Sequence, residues 1–224
     1  MCNTCGFKRT HVEPFLNVSL SFPFSKGTKP TRKSYGDGGN ESFGTRGRRG
    51  NKFDIRSCID HFSDPEPLAD GVFCDWCRAK TQTRKQHTFA KLPTILCLHL
   101  KRFDAATNKK IDEPVSFPYT LDMGPYLPHW REVEQTDVIA DASKASTTNG
   151  AEEDASSPSI LYDLCGTINH SGTLFQGHYV SNVKVNDDWY SCNDSEVHRF
   201  SKENAETEVL KSEEVYMLFY MRKS

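Results

Sequence analysis

The sequence predicts an α+β protein, mainly antiparallel strands with a few short helices. Three observations carry that reading. Gly177 to Ser195 alternates through Tyr179, Ser181, Val183 and Val185 on one face and Val180, Asn182 and Lys184 on the other. It turns at Asn186-Asp187-Asp188 and returns through Trp189-Tyr190, the pattern of a hairpin. Ile95 to Leu100 is an apolar run broken only by His99, the mark of a strand buried on both faces. Helical spacing is clearest in one short stretch, where Ile55, Cys58, Ile59 and Phe62 fall at i, i+3, i+4 and i+7 behind a capping Asp54.

From the start of the chain, Cys2-Asn3-Thr4-Cys5-Gly6 reads as a metal knuckle, with Gly6 free to take the positive φ such turns favour. Its mate is Cys74-Asp75-Trp76-Cys77. Cys2, Cys5, Cys74 and Cys77 meet the tetrahedral demand of Zn2+ with no position left for substrate, so the site is structural and ties together distant segments. The bland alternative is a redox or unliganded pair. Leu16, Val18, Leu20 and Phe22 alternate as a strand with one buried face. Ser63-Asp64-Pro65 ends the helix, and Thr81 to Phe89 reads as a polar strand. Asn108 to Ile111 turns the chain into Val115-Ser116-Phe117-Pro118. Tyr162 to His170 returns to strand pattern, Ser201 caps a short helix, and Val215 to Met221 closes the sheet. Cys58 and Cys97 read as packed core.

Two stretches differ in texture. Residues 25–52 carry eight basic residues against Asp37 and Glu41, a net of plus six, and read as a disordered basic insertion. Residues 131–159 carry seven acids against Arg131 and Lys144, a net of minus five, and read as an acidic one. Overall the 224 residues have a net charge of −2, which gives no global case for nucleic acid or membrane binding. A mean hydropathy of −0.63 is low for a single packed core and agrees with solvated insertions. Eight cysteines with two Cys-x-x-Cys pairs and no signal peptide point to a reducing compartment, nucleus or cytoplasm.

The hairpin also carries chemistry. His178 and Asn193 stand about equally far from the turn, so antiparallel pairing sets an imidazole beside a carboxamide. Such a pair suits thiol catalysis: the imidazole takes the proton, and the amide fixes its tautomer through the other ring nitrogen.

Gly177-His178-Tyr179, Trp189-Tyr190 and Asn193-Asp194-Ser195 resemble the histidine box of the ubiquitin-specific proteases, a papain-like family of cysteine isopeptidases. Glu13-Pro14-Phe15, the run from Leu92-Pro93 to Leu100-Lys101-Arg102-Phe103, Val115 to Pro118, Tyr162-Asp163-Leu164 and Tyr216 to Tyr220 are similar to further family segments, in the family's order. The resemblance implies that His178 is the general base and that Asn193 orients it, with Asp194 a third candidate catalytic residue. It implies zinc-stabilised, ubiquitin-gripping fingers over residues 1–90 and a palm over 91–224, with the helical thumb absent. Ubiquitin and ubiquitinated proteins are the implied partners. The paired knuckles and the Asn-Asp-Ser run look most like the nuclear, histone-directed branch.

The family's nucleophile lies in an Asn-Thr-Cys box. Here Asn3-Thr4-Cys5 is followed by Gly6-Phe7-Lys8-Arg9, and Cys5 is spaced for a metal. Cys192 should point away from Asn193, and Cys165 sits where the pattern wants core. The chain alone is therefore expected to be inactive. It reads as the base side of a deubiquitinating isopeptidase, with a ubiquitin-binding pseudo-enzyme or truncated fragment as the alternative. A zinc module binding nucleic acid through residues 26–52 is the poorer third reading.

Overall fold

The computed structural model describes residues 1–24, 53–104, 108–127, 159–173 and 175–223, so the basic insertion and all of the acidic one except Ser159 lie outside the described residues. Among the described residues the order is β1 (Val18–Leu20), β2 (Phe53–Asp54), α1 (Ile55–Ser63), β3 (Glu66–Cys74), β4 (Ala79–Lys85), β5 (Ile95–Leu100), β6 (Phe103–Asp104) and β7 (Lys109–Lys110). Then come β8 (Val115–Ser116), β9 (Thr120–Asp122), a 3-10 turn at Gly124–Tyr126, β10 (Leu161–Gly172), β11 (Gly177–Val185), β12 (Asp188–Asn193), β13 (Glu196–Arg199), α2 (Ala205–Leu210) and β14 (Val215–Arg222).

Eight strands form one sheet in the order β1-β5-β14-β10-β11-β12-β13, with β9 pairing β10. All pairs in it are antiparallel except β1 with β5. Alternation sends Leu96, Leu98 and Leu100 of β5 and Leu218 and Tyr220 of β14 into one core. Ile55, Cys58 and Ile59 of α1 join the same core and are fully buried. The helix starts where expected. The Asp54 carboxylate accepts from the Arg56 amide at 2.8 Å, and the Ser57 hydroxyl accepts from the Asp54 amide at 3.3 Å, a reciprocal cap.

Several sequence expectations change. The first strand is shorter than its alternation suggested, because Leu16 is 95% exposed while Val18, Leu20 and Phe22 are buried. That strand also joins the large sheet through β5, and α1 shares the same core. The strand read over Thr81 to Phe89 runs from Ala79 to Lys85, and Phe89 is core. Its partner β3 is not marked in the sequence, because most of its residues face solvent and no hydrophobic alternation runs through it. Ile95, expected to be buried, is 45% exposed at the start of β5. The last helix begins after Asn204, with the Ser201 carbonyl accepting from the Ala205 amide at 2.9 Å; Ser201 is not its side-chain cap.

Arg102 is the main polar element inside the core. The residue is 1% exposed, and its guanidinium donates to the carbonyls of Val215 at 2.6 Å, Ile111 and Glu113 at 2.9 Å each, and Glu213 at 3.2 Å. Burial pushes it down to about 10, and it stays charged at neutral pH. Arg102 thus joins the entry to β14 to the β7–β8 connection. Arg102→Ala would strand these buried acceptors, so an expected loss of about 3–5 kcal/mol follows. Urea unfolding checks this; a loss below ~1 kcal/mol would show that water replaces the guanidinium.

Candidate active site and metal centre

The four predicted metal ligands sit on or beside a ribbon that has little core of its own. β3 and β4 pair antiparallel, and Gly71 sits at the irregularity between Leu68 and Val72 with φ +63°. A Cβ there would come within 2.7 Å of the Thr81 carbonyl oxygen, so glycine is required. Cys74 and Cys77 lie at the ribbon's turn. The start of the chain docks beside β4 through Asn3 N–H to Gln82 O at 3.0 Å and Arg84 N–H to Met1 O at 2.9 Å. Gly6, with φ +76°, lets its amide reach back to the Cys2 carbonyl at 3.0 Å and closes the first knuckle.

This brings the four predicted sulfurs together, all within 4.8 Å of one another. Cys2 Sγ is 3.9 Å from Cys77 Sγ, and Cys5 Sγ is 3.6 Å from Cys74 Sγ. Four sulfurs about 2.3 Å from a tetrahedral centre would stand ~3.8 Å apart. The donor set therefore fits zinc. The thiols differ before any metal is considered: a hydrogen bond with Thr81, at 3.2 Å, helps draw Cys2 down to about 5, whereas hydrogen bonding to Cys5 helps push Cys77 up to about 12. A bound dication would favour the thiolate at every one of them.

The second centre lies on the hairpin. β11 and β12 pair with Val185 opposite Asp188 and Ser181 opposite Cys192, leaving Asn186-Asp187 as the turn, with Asn186 at φ +55°. This register sets Asn193 diagonally from His178 instead of directly opposite, on the same face. The diagonal is short enough: His178 Nε2–H donates to Asn193 Oδ1 at 2.5 Å. Asn193 then holds the tautomer whose free lone pair is on Nδ1. The imidazole is exposed at the head of β11, able to accept a proton there.

Asp194 follows Asn193 directly. It is exposed and occupies the tight turn between β12 and β13, with φ +51°, while Asn193 pairs with Glu196 across it. Its place explains an Asp in a left-handed position.

Behind His178 the same face is polar. Thr167 and Asn182, buried and opposite one another in β10 and β11, are joined by a 3.2 Å hydrogen bond from Asn182 Nδ2. No thiol is hydrogen-bonded to His178 among the described residues. Cys165 Sγ donates to the Phe219 carbonyl at 3.3 Å, and burial pushes this thiol up. It lies six positions along β10 from Ser171, the partner of His178, or about 20 Å of strand. Cys192 neighbours Asn193 and faces the other side of the sheet.

Sequence reasoning missed His170, treated there only as a strand position. The residue is 3% exposed, and its ring lies 4.6 Å from the Tyr179 ring, centre to centre. The available signal was the pair Gly172 and Gly177 flanking the turn that follows it.

Comparison with known proteins agrees with this architecture. The family model described as ubiquitin carboxyl-terminal hydrolase matches residues 2–220. Ubiquitin C-terminal hydrolase 22 of Arabidopsis thaliana is 30% identical over 100% of this chain and 39% of its own length. Ubiquitin carboxyl-terminal hydrolase 22 of Homo sapiens is 33% identical over 99% of this chain and 40% of its own length. The solved SAGA Ubp8/Sgf11/Sus1/Sgf73 DUB module bound to ubiquitin aldehyde contains a chain that superposes with a TM-score of 0.68 and 29% identity, covering 100% of this chain and 39% of that one. The chain thus spans about two fifths of the length of these relatives, with the α+β papain-like fold of the ubiquitin-specific proteases. It belongs to the ubiquitin carboxyl-terminal hydrolase family.

Proposed function

We propose that this chain is the base-bearing part of a thiol isopeptidase that removes ubiquitin from proteins. The observation that carries the reading is the His178–Asn193 hydrogen bond, which leaves Nδ1 free at an exposed strand head. His178 takes the proton of a cysteine thiol, and the thiolate attacks the carbonyl at the C-terminus of ubiquitin. Imidazolium returns the proton to the departing lysine amine, and water then releases the acyl group as carboxylate. Asn193 keeps the ring oriented throughout, and Asp194 sets the turn that presents Asn193.

The nucleophile in this reading is none of the eight cysteines here, and the oxyanion donors come with the nucleophile's own segment. Cys2, Cys5, Cys74 and Cys77 hold a structural zinc that gives the β3–β4 ribbon its rigidity as the ubiquitin-gripping finger. β1, α1 and the large sheet form the palm, although the first two lie within residues 1–90. Ubiquitin is the partner, supported by the related module solved with ubiquitin aldehyde. Ubiquitinated histones and a nuclear setting follow from the branch that the motifs resemble.

The isolated chain tests the assignment of the missing thiol. Incubated with ubiquitin bearing a thiol-reactive C-terminus, it is expected to form no covalent adduct, as judged by intact mass. An adduct on Cys165 or Cys192 would overturn the role given to those residues. Ubiquitin binding without hydrolysis by the full-length protein would instead favour the pseudo-enzyme.

A further inference from the structure

His170 and His178 stand near the same end of β10 and β11 but serve opposite faces of the sheet. His170 pairs with Tyr179, Ser171 with His178, and Gly172 with Gly177. Side chains alternate, so Gly177 and Tyr179 share a face with His170, whereas His178 points away from it. On that face the imidazole of His170 occupies the space a side chain at residue 177 would need. A Cβ on Gly177 would stand 2.0 Å from His170 Nε2 and 2.8 Å from its Cε1. The ring is confined on its other sides by Tyr179, by Phe103 at 5.6 Å and by Tyr216 at 6.3 Å between ring centres. Its Nδ1 is buried and has no hydrogen-bond partner.

An unpartnered nitrogen in an aromatic pocket accepts a proton poorly, since the cation would be both desolvated and unbonded. The geometry points to His170 as a positioning residue for His178: an uncharged ring wedged beneath Gly177 that sets where β11 begins, and whose protonation displaces the catalytic imidazole. This rests on the reading of His178 as general base, and it adds a second histidine that acts only through the Gly177 backbone.

The charged groups around the ring shape the response. Lys110 of β7 donates to the His170 carbonyl at 2.7 Å and opposes a second positive charge. Asp112, 3.7 Å from Lys110, and Glu214, whose carbonyl accepts from the His170 amide at 3.0 Å, pull the other way. Tyr179 and Tyr216 add phenols from β11 and β14. Burial wins, and His170 lies below the ordinary histidine value. The folded protein then binds this proton less readily than the unfolded chain does. Stability from this site is complete above about pH 6.5 and falls as pH drops from there toward the depressed folded value.

The test follows the Cε1–H signal of His178 by NMR from pH 8 downwards in this chain, identified by its loss in His178→Ala. The wild type is expected to show two inflections, the lower one coinciding with the titration of His170 itself. His170→Phe, or His170→Gln should the larger ring prevent folding, is expected to leave one. A single inflection in the wild type, or two that persist in the folded variant, overturns the proposal. In the full-length protein the acid limb of kcat/KM should change from steeper than one proton to one proton in the same variant, and an unchanged limb also overturns it. A full-length protein without hydrolytic activity refutes the isopeptidase reading, while the NMR experiment still decides the role of His170.

Discussion

His178→Ala in the full-length protein is expected to lower ubiquitin hydrolysis by about 10⁴-fold or more, while Asn193→Ala lowers it by on the order of 10- to 100-fold. The asymmetry follows from the hydrogen bond. Removing the imidazole removes the group proposed to take the thiol proton, whereas removing the amide leaves that base present with its ring free to turn. The loss in Asn193→Ala should fall mainly on kcat, because a misoriented base affects the transition state more than ubiquitin binding. Single-turnover kinetics with a ubiquitin C-terminal amide checks both. Equal and small effects would reject the assignment, and so would a large loss confined to KM. Asp194→Gly should cost much less than either, since glycine accepts the positive φ that Asp194 now supplies.

Metal removal is the second large effect. An isolated two-stranded ribbon is marginal in water, and most residues of β3 and β4 face solvent. The knuckles therefore carry much of the ribbon's stability. Binding of a structural zinc by four thiolates contributes on the order of 10 kcal/mol at neutral pH. One zinc per chain is expected by metal analysis. A strong chelator, or Cys74→Ser, should unfold the ribbon and release the start of the chain from it while the large sheet persists, since β1, β5 and α1 share the separate core. Amide exchange reads this directly: protection at Gln82 through Lys85 should be lost while that at Leu96 to Leu100 remains. Full protection at β4 in metal-free protein would show that the ribbon needs no ion. Mild acid should act as the chelator does, because protons compete with the metal for sulfur.

Much of this was legible in the sequence because the signals were local. Two Cys-x-x-Cys pairs specify a four-thiolate cage wherever the intervening chain runs, and the four sulfurs do converge. Helical spacing behind Asp54 and strict alternation in Gly177 to Val185 specify their elements because a buried face must repeat with the period of the backbone. The histidine box placed His178 and Asn193 on one hairpin, and a two-residue turn brought them within bonding reach.

What tertiary structure decided lay between segments distant in the chain. The parallel pairing of β1 with β5 put Val18 to Leu20 at the edge of the large sheet, and no periodicity within one segment can name its neighbour. β3 was invisible because a mostly exposed ribbon has no apolar alternation to read, only the cysteine-bearing turn that closes it. Arg102 reads as an ordinary surface charge, and its role depends on four carbonyls supplied by segments 9 to 113 residues away. His170 likewise became distinct only when β10 folded against β11 and placed a missing side chain, that of Gly177, under its ring. Composition and spacing determined which groups the chain owns and how each segment folds, because those depend on neighbours along the backbone. The identity of each group's partners was decided by packing, because burial and hydrogen bonding are set by whatever surface the rest of the chain brings to that point.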